Sequence, residues 1–180
     1  MNLFEKTVEE SIIYEGKIVT VHRDRAELPN GRITLREVVE HPGGVVILAL
    51  HEDETVDLVR QFRYPVGRVL TERPAGKLEK GEDPRLAALR ELEEETGLRA
   101  GELTGFGAIY VSPGISTELL HMYLARDLRP GTLHPDEDEF LERSRVPFSE
   151  LYESVLRGEN EDAKTVALVL RVRAWLDEQR

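Results

Sequence analysis

The sequence contains no cysteine and no long apolar run. The absence of cysteine excludes disulfides and thiolate chemistry, and it is compatible with the cytoplasmic location that we expect. No apolar run approaches the roughly 20 residues that a transmembrane helix requires. The first residues also lack the pattern of a signal peptide, so we expect no membrane partner.

Basic residues are scarce relative to acidic ones, with 24 Lys and Arg against 35 Asp and Glu and a formal net charge of −11. Because phosphate contacts dominate affinity for nucleic acids, this balance argues against a nucleic-acid partner. A small phosphorylated ligand stays compatible if a divalent cation neutralises the site. The length of 180 residues suits one domain, or one domain with a small appendage.

Residues 1–42 are predicted to form a small antiparallel β subdomain that precedes a main domain at residues 43–180. Its strand-forming stretches are separated by turn residues, and Pro29-Asn30-Gly31 is a strong hairpin signal. So few strands bury too little area to be stable alone. We therefore expect this segment to pack on the main domain or on a second copy of the chain.

The main domain combines strands with helices. Residues 45–50 form a nearly continuous apolar run, as expected of a strand that is buried on both faces. Two helical patterns lie near the end, one closing near Gly158 and an amphipathic one at residues 162–178. Mixed strands followed by helices indicate an α+β fold.

One stretch, GKLEKGEDPRLAALRELEEETGL at residues 76–98, has the strongest pattern in the chain. Its second half is predicted to be a helix. Asp83 offers an oxygen to cap the N-terminus, Pro84 suits the first helical position, and Gly97 can end the helix in a left-handed conformation.

Glu91, Glu94 and Glu95 are spaced so that their carboxylates lie on one face of this helix. Like charges at this spacing destabilise a helix, so the cluster needs an explanation. The residues alone leave two open. The cluster is either a solvated acidic face paired with arginines such as Arg90, or a site for a hard cation such as Mg²⁺, which prefers oxygen ligands.

The spacing resembles the signature of the Nudix hydrolases at every defined position: Gly76, five residues, Glu82, seven residues, then Arg90 to Leu98. A chance match is on the order of 10⁻⁹ per window at ordinary amino-acid frequencies. The resemblance implies an α/β/α sandwich, with a mixed sheet between helices, and a metal site in a loop–helix–loop segment. It also implies hydrolysis of a nucleoside diphosphate linked to another moiety.

The resemblance also implies roles within the signature. Glu91, Glu94 and Glu95 are the expected ligands of Mg²⁺ or Mn²⁺, and the backbone carbonyl of Ala75 joins them. Of these, Glu91 and Glu95 are the strongest candidates for catalysis. Structural roles are expected for Gly76, Glu82, Arg90 and Gly97, with an ion pair between Glu82 and Arg90.

Four segments resemble one Nudix subgroup, the ADP-ribose pyrophosphatases: residues 60–63, 72–79, 110–114 and 118–125. Pro113 lies where the subgroup has its marker proline. This resemblance implies hydrolysis of ADP-ribose to AMP and ribose 5-phosphate. It also implies a homodimer whose N-terminal β-segments are exchanged, with both chains contributing to each site.

Members of the subgroup carry a catalytic glutamate in an acidic loop, which corresponds here to residues 136–139. Glu139 is the expected general base or water-positioning residue, and Glu137 is the alternate. Arg63 can bind a phosphate through two parallel hydrogen bonds, and Arg60 is a second candidate. Further substrate-binding candidates are Glu72, for a ribose hydroxyl or the adenine amino group, and Ser112, Gly114 and Glu118 in the loop opposite the metal helix.

Two departures from the subgroup leave other substrates open. Thr71 stands where an aromatic residue is usual, and Arg73 where an apolar one is usual. They favour a pyrophosphatase acting on GDP-mannose, another ADP-sugar or a flavin dinucleotide. A third hypothesis is a non-hydrolytic ADP-ribose sensor. Such sensors usually lose signature carboxylates or carry a DNA-binding segment, whereas this acidic chain keeps the carboxylates.

Replacement of Glu139 by glutamine should lower kcat more than KM, because the change removes a proton acceptor and leaves ground-state binding in place. Steady-state kinetics of E139Q beside E137Q measures the effect, and we expect the smaller loss in E137Q. If E137Q is the only crippled variant, the base assignment is wrong.

Overall fold

The computed structural model describes residues 2–134 and 140–179, and these form two compact units. One unit is the chain up to Gly43 together with Tyr110–Leu119. The other is Gly44–Ile109 together with the chain from Leu120 onward. None of the described helices combines the length and apolar character that a membrane crossing needs.

The first unit contains a four-stranded sheet. Its antiparallel strands are β1 (Lys6–Glu9), β2 (Ile12–Glu15), β3 (Thr20–Glu27) and β4 (Ile33–Glu40). β3 is central, because it pairs with β1 and β2 in succession and with β4 over its whole length. The predicted hairpin turn joins β3 to β4, and Gly31 takes the positive φ of 80° that glycine tolerates.

This sheet has little core of its own. In its four strands only Ala26 is buried. Large apolar side chains on the strands and turns are exposed: Val8, Ile12, Ile13, Tyr14, Ile18, Ile33 and Leu35. The apolar area buried within the sheet is therefore small for a segment of this length.

The second unit, in its described residues, contains strands and helices in mixed order. The strands are β5 (Gly44–Ala49), β6 (Thr55–Arg63), β7 (Arg68–Glu72), β8 (Ala75–Lys77), β9 (Leu98–Tyr110), β10 (Leu119–Pro130) and β11 (Glu142–Pro147). The helices are α1 (Pro84–Thr96), α2 (Phe148–Leu156) and α3 (Ala163–Glu178).

These strands form two sheets, one in the order β8-β5-β10-β9 and one in the order β11-β6-β7. β5 runs parallel to β10 and antiparallel to β8, so the first of them is mixed. β6 pairs antiparallel with both of its neighbours. The pairing of Gly76 in β8 with Val45 in β5 ties the start of the glutamate-rich segment to the most buried strand.

β5 lies between helices, as its continuous apolar run predicts. Val45, Ile47 and Ala49 pack in a cluster with α1, whereas Val46 and Leu48 pack in a cluster with α2 and α3. Each fully buried side chain of this kind contributes roughly 1.5–3 kcal/mol. Helices on both faces of a mixed sheet confirm the α+β class and the α/β/α sandwich.

α1 begins and ends where its sequence predicts. Asp83 Oδ1 accepts hydrogen bonds from the backbone N–H groups of Arg85 and Leu86 at 2.8 and 3.2 Å. Pro84 occupies the first turn, and Gly97 has a φ of 70° with its N–H donated to the Glu93 carbonyl. The glutamates of the signature therefore lie on a helix whose two ends are fixed by local hydrogen bonds.

Arg73 is an exception to the apolar core. Its side chain is 0% exposed, and Nε and Nη1 have no hydrogen-bond partner among the described residues. Burial lowers the pKa of Arg73 to about 9, although the negative charges of Asp57 and Asp162 oppose the change. This side chain lies in the interior and not on a surface that a substrate could reach. Arg73 is one of the two residues that favour other substrates, and because it is buried it makes no direct contact with a substrate.

Replacement of Arg73 by methionine should stabilise the fold. The change removes a desolvated cation and two unsatisfied donors, and a buried unsatisfied polar group costs about 1–3 kcal/mol. Urea unfolding should show a higher midpoint for R73M than for the unchanged protein. R73K keeps a buried cation and should show no such increase. A lower midpoint for R73M would mean that attraction to Asp57 and Asp162 outweighs the desolvation.

Candidate active site

The close approach of Gly76 to α1 shapes the site. A Cβ atom at Gly76 would lie 1.9 Å from the carboxyl carbon of Glu91, far inside van der Waals contact. Only the absence of a side chain lets the Glu91 carboxylate lie against the backbone of β8. Glycine is therefore required at position 76 for a steric reason, which is the close approach of Glu91.

Glu95 lies one turn further along α1 and is also held by β8. Its Oε2 accepts a hydrogen bond from the backbone N–H of Ala75 at 3.0 Å. Both Glu91 and Glu95 are buried, which is unusual for acidic side chains. Helix spacing and the β8 backbone together hold both carboxylates against the same strand.

Arg90 joins the loop before α1 to the glutamates. It donates from Nε and Nη2 to Glu82 at 3.0 Å each, so the ion pair predicted from the signature is present. Its Nη1 donates to Glu91 and Glu94 at 2.8 and 2.9 Å. The hydrogen bonds from Arg90 hold the pKa of Glu82 below its usual value. One cation therefore balances three carboxylates around the site.

The donor set fits a hard divalent cation. The signature provides carboxylate oxygens from Glu91, Glu94 and Glu95 and a carbonyl oxygen from Ala75, all of the type that Mg²⁺ prefers. Within residues 2–134 and 140–179, no group of three or more acidic or histidine side chains is already close enough together to hold a metal ion. Arg90, which bridges Glu91 to Glu94, occupies oxygens that a cation would otherwise take.

Glu95 also reaches a cleft of about 480 Å³, a volume typical of small-molecule sites. The cleft is lined by two arginines, several apolar side chains and two carboxylates: Arg60, Phe62, Val69, Glu95, Leu133, Phe140, Leu141, Glu142 and Arg143. Arg60, a candidate phosphate ligand, donates to Glu142 at 2.6 Å, so these two lining residues form an ion pair. No motif in the sequence indicates Arg143.

The two substrate candidates Arg63 and Glu72 contact each other. Arg63 donates from Nε and Nη2 to the two carboxylate oxygens of Glu72 at 2.7 and 2.6 Å. Lys164 contacts the same carboxylate and also donates to Asp162 at 2.8 Å. Glu72 is 1% exposed, so its carboxylate is turned towards these cations and not towards solvent. Its expected role as an acceptor for a ribose hydroxyl or the adenine amino group stays a prediction.

The remaining candidates lie elsewhere in the chain. Ser112, Gly114 and Glu118 belong to the first unit, where the Ser112 carbonyl accepts hydrogen bonds from the N–H groups of Ile115 and Ser116. No described residue has an atom within 4 Å of the position that a Cβ at Gly114 would take, and the Glu118 N–H donates to Ser116 Oγ. Glu137 and Glu139 lie outside the described residues.

Sequence reasoning missed Lys164. Its contact with Glu72 joins residues that are 92 positions apart, and no local spacing signals such a pair. The neighbouring Asp162 does carry a signal, because it precedes an amphipathic helix and caps it.

A mixed sheet between helices, with paired glutamates held against a glycine-containing strand, defines a Nudix hydrolase. A model of the Nudix domain matches residues 40–169, and a model of the nucleoside diphosphate sugar hydrolase N-terminal domain matches residues 5–39. The chain belongs to the Nudix family.

Three individual proteins are similar to this chain over most of its length. The chain is 42% identical to an ADP-ribose pyrophosphatase of Bacillus subtilis over 99% of both chains. It is 40% identical to a methanol dehydrogenase activator of Bacillus methanolicus, over 92% of this chain and 90% of the relative. The crystal structure of an ADP compounds hydrolase shares the fold, with a TM-score of 0.86, 24% identity and coverage of 99% and 98%.

Replacement of Gly76 by alanine should impair metal use and leave the fold intact. The new Cβ displaces the flexible end of Glu91, so we expect the metal concentration for half-maximal activity to rise about tenfold or more. Titration of hydrolysis against Mg²⁺ and Mn²⁺ measures this shift, with thermal unfolding to check the fold.

Gly105→Ala is the matched control for Gly76→Ala. Among the described residues, a Cβ at Gly105 would meet only Tyr123, at an ordinary distance of 3.7 Å. If G76A and G105A require the same metal concentration, the close approach of Gly76 to Glu91 has no bearing on the metal.

Proposed function

We propose that this Nudix hydrolase cleaves the pyrophosphate bond of ADP-ribose to AMP and ribose 5-phosphate with the help of Mg²⁺ or Mn²⁺. The observation that carries the proposal is the buried pair Glu91 and Glu95, held against Ala75 and Gly76 beside a cleft of ligand size. Similarity to the Bacillus subtilis pyrophosphatase over nearly the whole length supports the choice of substrate.

Glu91, Glu94, Glu95 and the Ala75 carbonyl would hold the cation. When bound, it would neutralise the diphosphate and lower the pKa of water. Arg90 keeps this set of carboxylates together through Glu82, Glu91 and Glu94.

The base that activates water is part of the same proposal. Glu139 is our choice, and Glu137 is the alternate. Support comes from the position of the acidic stretch 136–139, which corresponds to the acidic loop of the ADP-ribose pyrophosphatases. A carboxylate there would accept the proton of the attacking water, and the two variants described above distinguish the candidates.

Arg63 and Arg60 are the proposed phosphate-binding residues. Arg63 is held by Glu72 and is 38% exposed, which leaves part of its guanidinium accessible to an anion. Arg60 lines the same cleft as Glu95. Because Glu72 is buried, we propose that it acts through Arg63. Ser112, Gly114 and Glu118 stay proposed substrate contacts.

A homodimer completes the proposal, with residues 1–42 as an exchanged β subdomain and residues 43–180 as the catalytic domain. The support is the row of exposed apolar side chains on the four-stranded sheet, which two copies of the chain could cover. Sedimentation of the full chain measures its mass, and a monomer would contradict the dimer. The cysteine-free sequence supports a cytoplasmic location.

Other functions of the same site stay candidates. Thr71 departs from the ADP-ribose pyrophosphatases and favours GDP-mannose, another ADP-sugar or a flavin dinucleotide as substrate. The similarity to a methanol dehydrogenase activator favours a regulatory role. The buried carboxylate pair supports hydrolysis, because a cation held by these carboxylates could activate water as well as neutralise the diphosphate.

A substrate panel decides among these functions. We expect ADP-ribose to exceed GDP-mannose, ADP-glucose, a flavin dinucleotide and nucleoside triphosphates by about tenfold in kcat/KM, about 1.4 kcal/mol of transition-state binding. Chromatographic separation of the nucleoside monophosphate that each substrate releases measures each rate in Mg²⁺ and in Mn²⁺, with E95Q as the metal-ligand control. If GDP-mannose has the highest kcat/KM, it replaces ADP-ribose as the proposed substrate. If no compound in the panel is hydrolysed, the proposed activity changes from hydrolysis to ligand binding.

A further inference from the structure

We propose that Lys164, near the start of α3, is a positioning residue for substrate binding. It fixes the carboxylate of Glu72, and Glu72 holds the guanidinium of Arg63 towards the diphosphate. The inference rests on the proposed function, because it assumes that Arg63 binds a phosphate. It adds a residue that no motif of the sequence indicates.

The link begins at the N-terminus of α3. Asp162 caps this helix by accepting hydrogen bonds from the N–H and hydroxyl of Thr165 at 3.1 and 2.5 Å. Its other oxygen accepts from Lys164 Nζ at 2.8 Å. Lys164 is 17% exposed, so its ammonium group is held in a fixed place against the helix end.

Lys164 then contacts the buried Glu72. Both oxygens of this carboxylate are engaged, one by Arg63 Nε and the other by Arg63 Nη2 and Lys164 Nζ. Burial alone raises the pKa of Glu72, but the hydrogen bonds from Arg63 and the charge of Lys164 outweigh it, so the pKa is lowered. The carboxylate therefore stays ionised at neutral pH and can orient a guanidinium.

Arg63 is the end of the link and the part that a ligand can reach. Its bonds to Glu72 use two of the five N–H donors of a guanidinium. The hydrogen bonds with Glu72, and then the negative charges of Asp162 and Glu95, raise the pKa of Arg63. Arg63 therefore lies within the electrostatic field of Glu95, a proposed metal ligand.

Two cations on one buried carboxylate make the geometry sensitive to either of them. Without Lys164, one oxygen of Glu72 loses a charged donor, and the carboxylate can rotate with Arg63 still attached. A buried charge with a missing partner is strongly unfavourable, so rearrangement is expected. The consequence for function is a misplaced guanidinium, which weakens binding of the substrate and leaves the groups around Glu91 unchanged.

The test compares Lys164→Met with the unchanged enzyme on ADP-ribose. We expect KM to rise about tenfold, the effect of one lost charge-assisted hydrogen bond, and kcat to change by less than about threefold. Lys164→Arg keeps a cation near Glu72 and should restore most of the KM.

Arg68→Met is the matched control. Arg68 in β7 pairs at 2.7 Å with Glu161, which lies just before α3, so it links β7 to the segment that leads into α3 without touching Glu72. Both partners are exposed. We expect its KM to stay within about twofold, since exposed ion pairs contribute little. Equal KM values for R68M and K164M, or a K164M defect confined to kcat, would overturn the proposal.

Urea unfolding of each variant separates a folding defect from a binding defect. If K164M does not fold, Lys164→Gln replaces it in the same comparison. If the panel shows another preferred substrate, KM is measured with that substrate. If nothing is hydrolysed, calorimetric titration with ADP-ribose decides: about tenfold weaker binding in K164M supports the link, and equal binding overturns it.

Discussion

Two glutamate carboxylates held against the backbone of a strand are the constraint on which the site depends. Glu91 occupies the space that a side chain at Gly76 would fill, and Glu95 accepts the N–H of Ala75. Neither carboxylate could be buried there if β8 were not paired to the central strand β5. Burial of the two negative charges therefore depends on the glycine in β8 and on the position of α1 over the sheet.

Charge compensation follows from this constraint. The acidic cluster would repel itself, but Arg90 contacts Glu82, Glu91 and Glu94 and so offsets part of the repulsion. A second balance lies around Glu72, which is buried between Arg63 and Lys164. Both devices use an arginine fork, because its planar array of donors suits a carboxylate whose position must be fixed.

The local parts of the fold were predictable. The cap at Asp83, the left-handed Gly97 and the hairpin at Gly31 each follow from backbone preferences that act over a few residues. The apolar run at β5 predicted burial on both faces, because successive residues of a strand point to opposite faces and all of them are apolar here. Long-range pairs were not predictable in this way, and the contact of Glu72 with Lys164, 92 positions later, is such a pair.

The sequence by itself determined the helix of the signature, the spacing of its glutamates, the ion pair of Arg90 with Glu82 and the membership of a family of hydrolases. Only the tertiary structure decided that Arg73 is buried, that Glu72 faces Arg63 and Lys164, and that Glu95 opens into a cleft. The physical reason is range. Helix spacing and caps depend on neighbours within one or two turns, whereas burial and charge pairing depend on segments that meet only after the chain has folded.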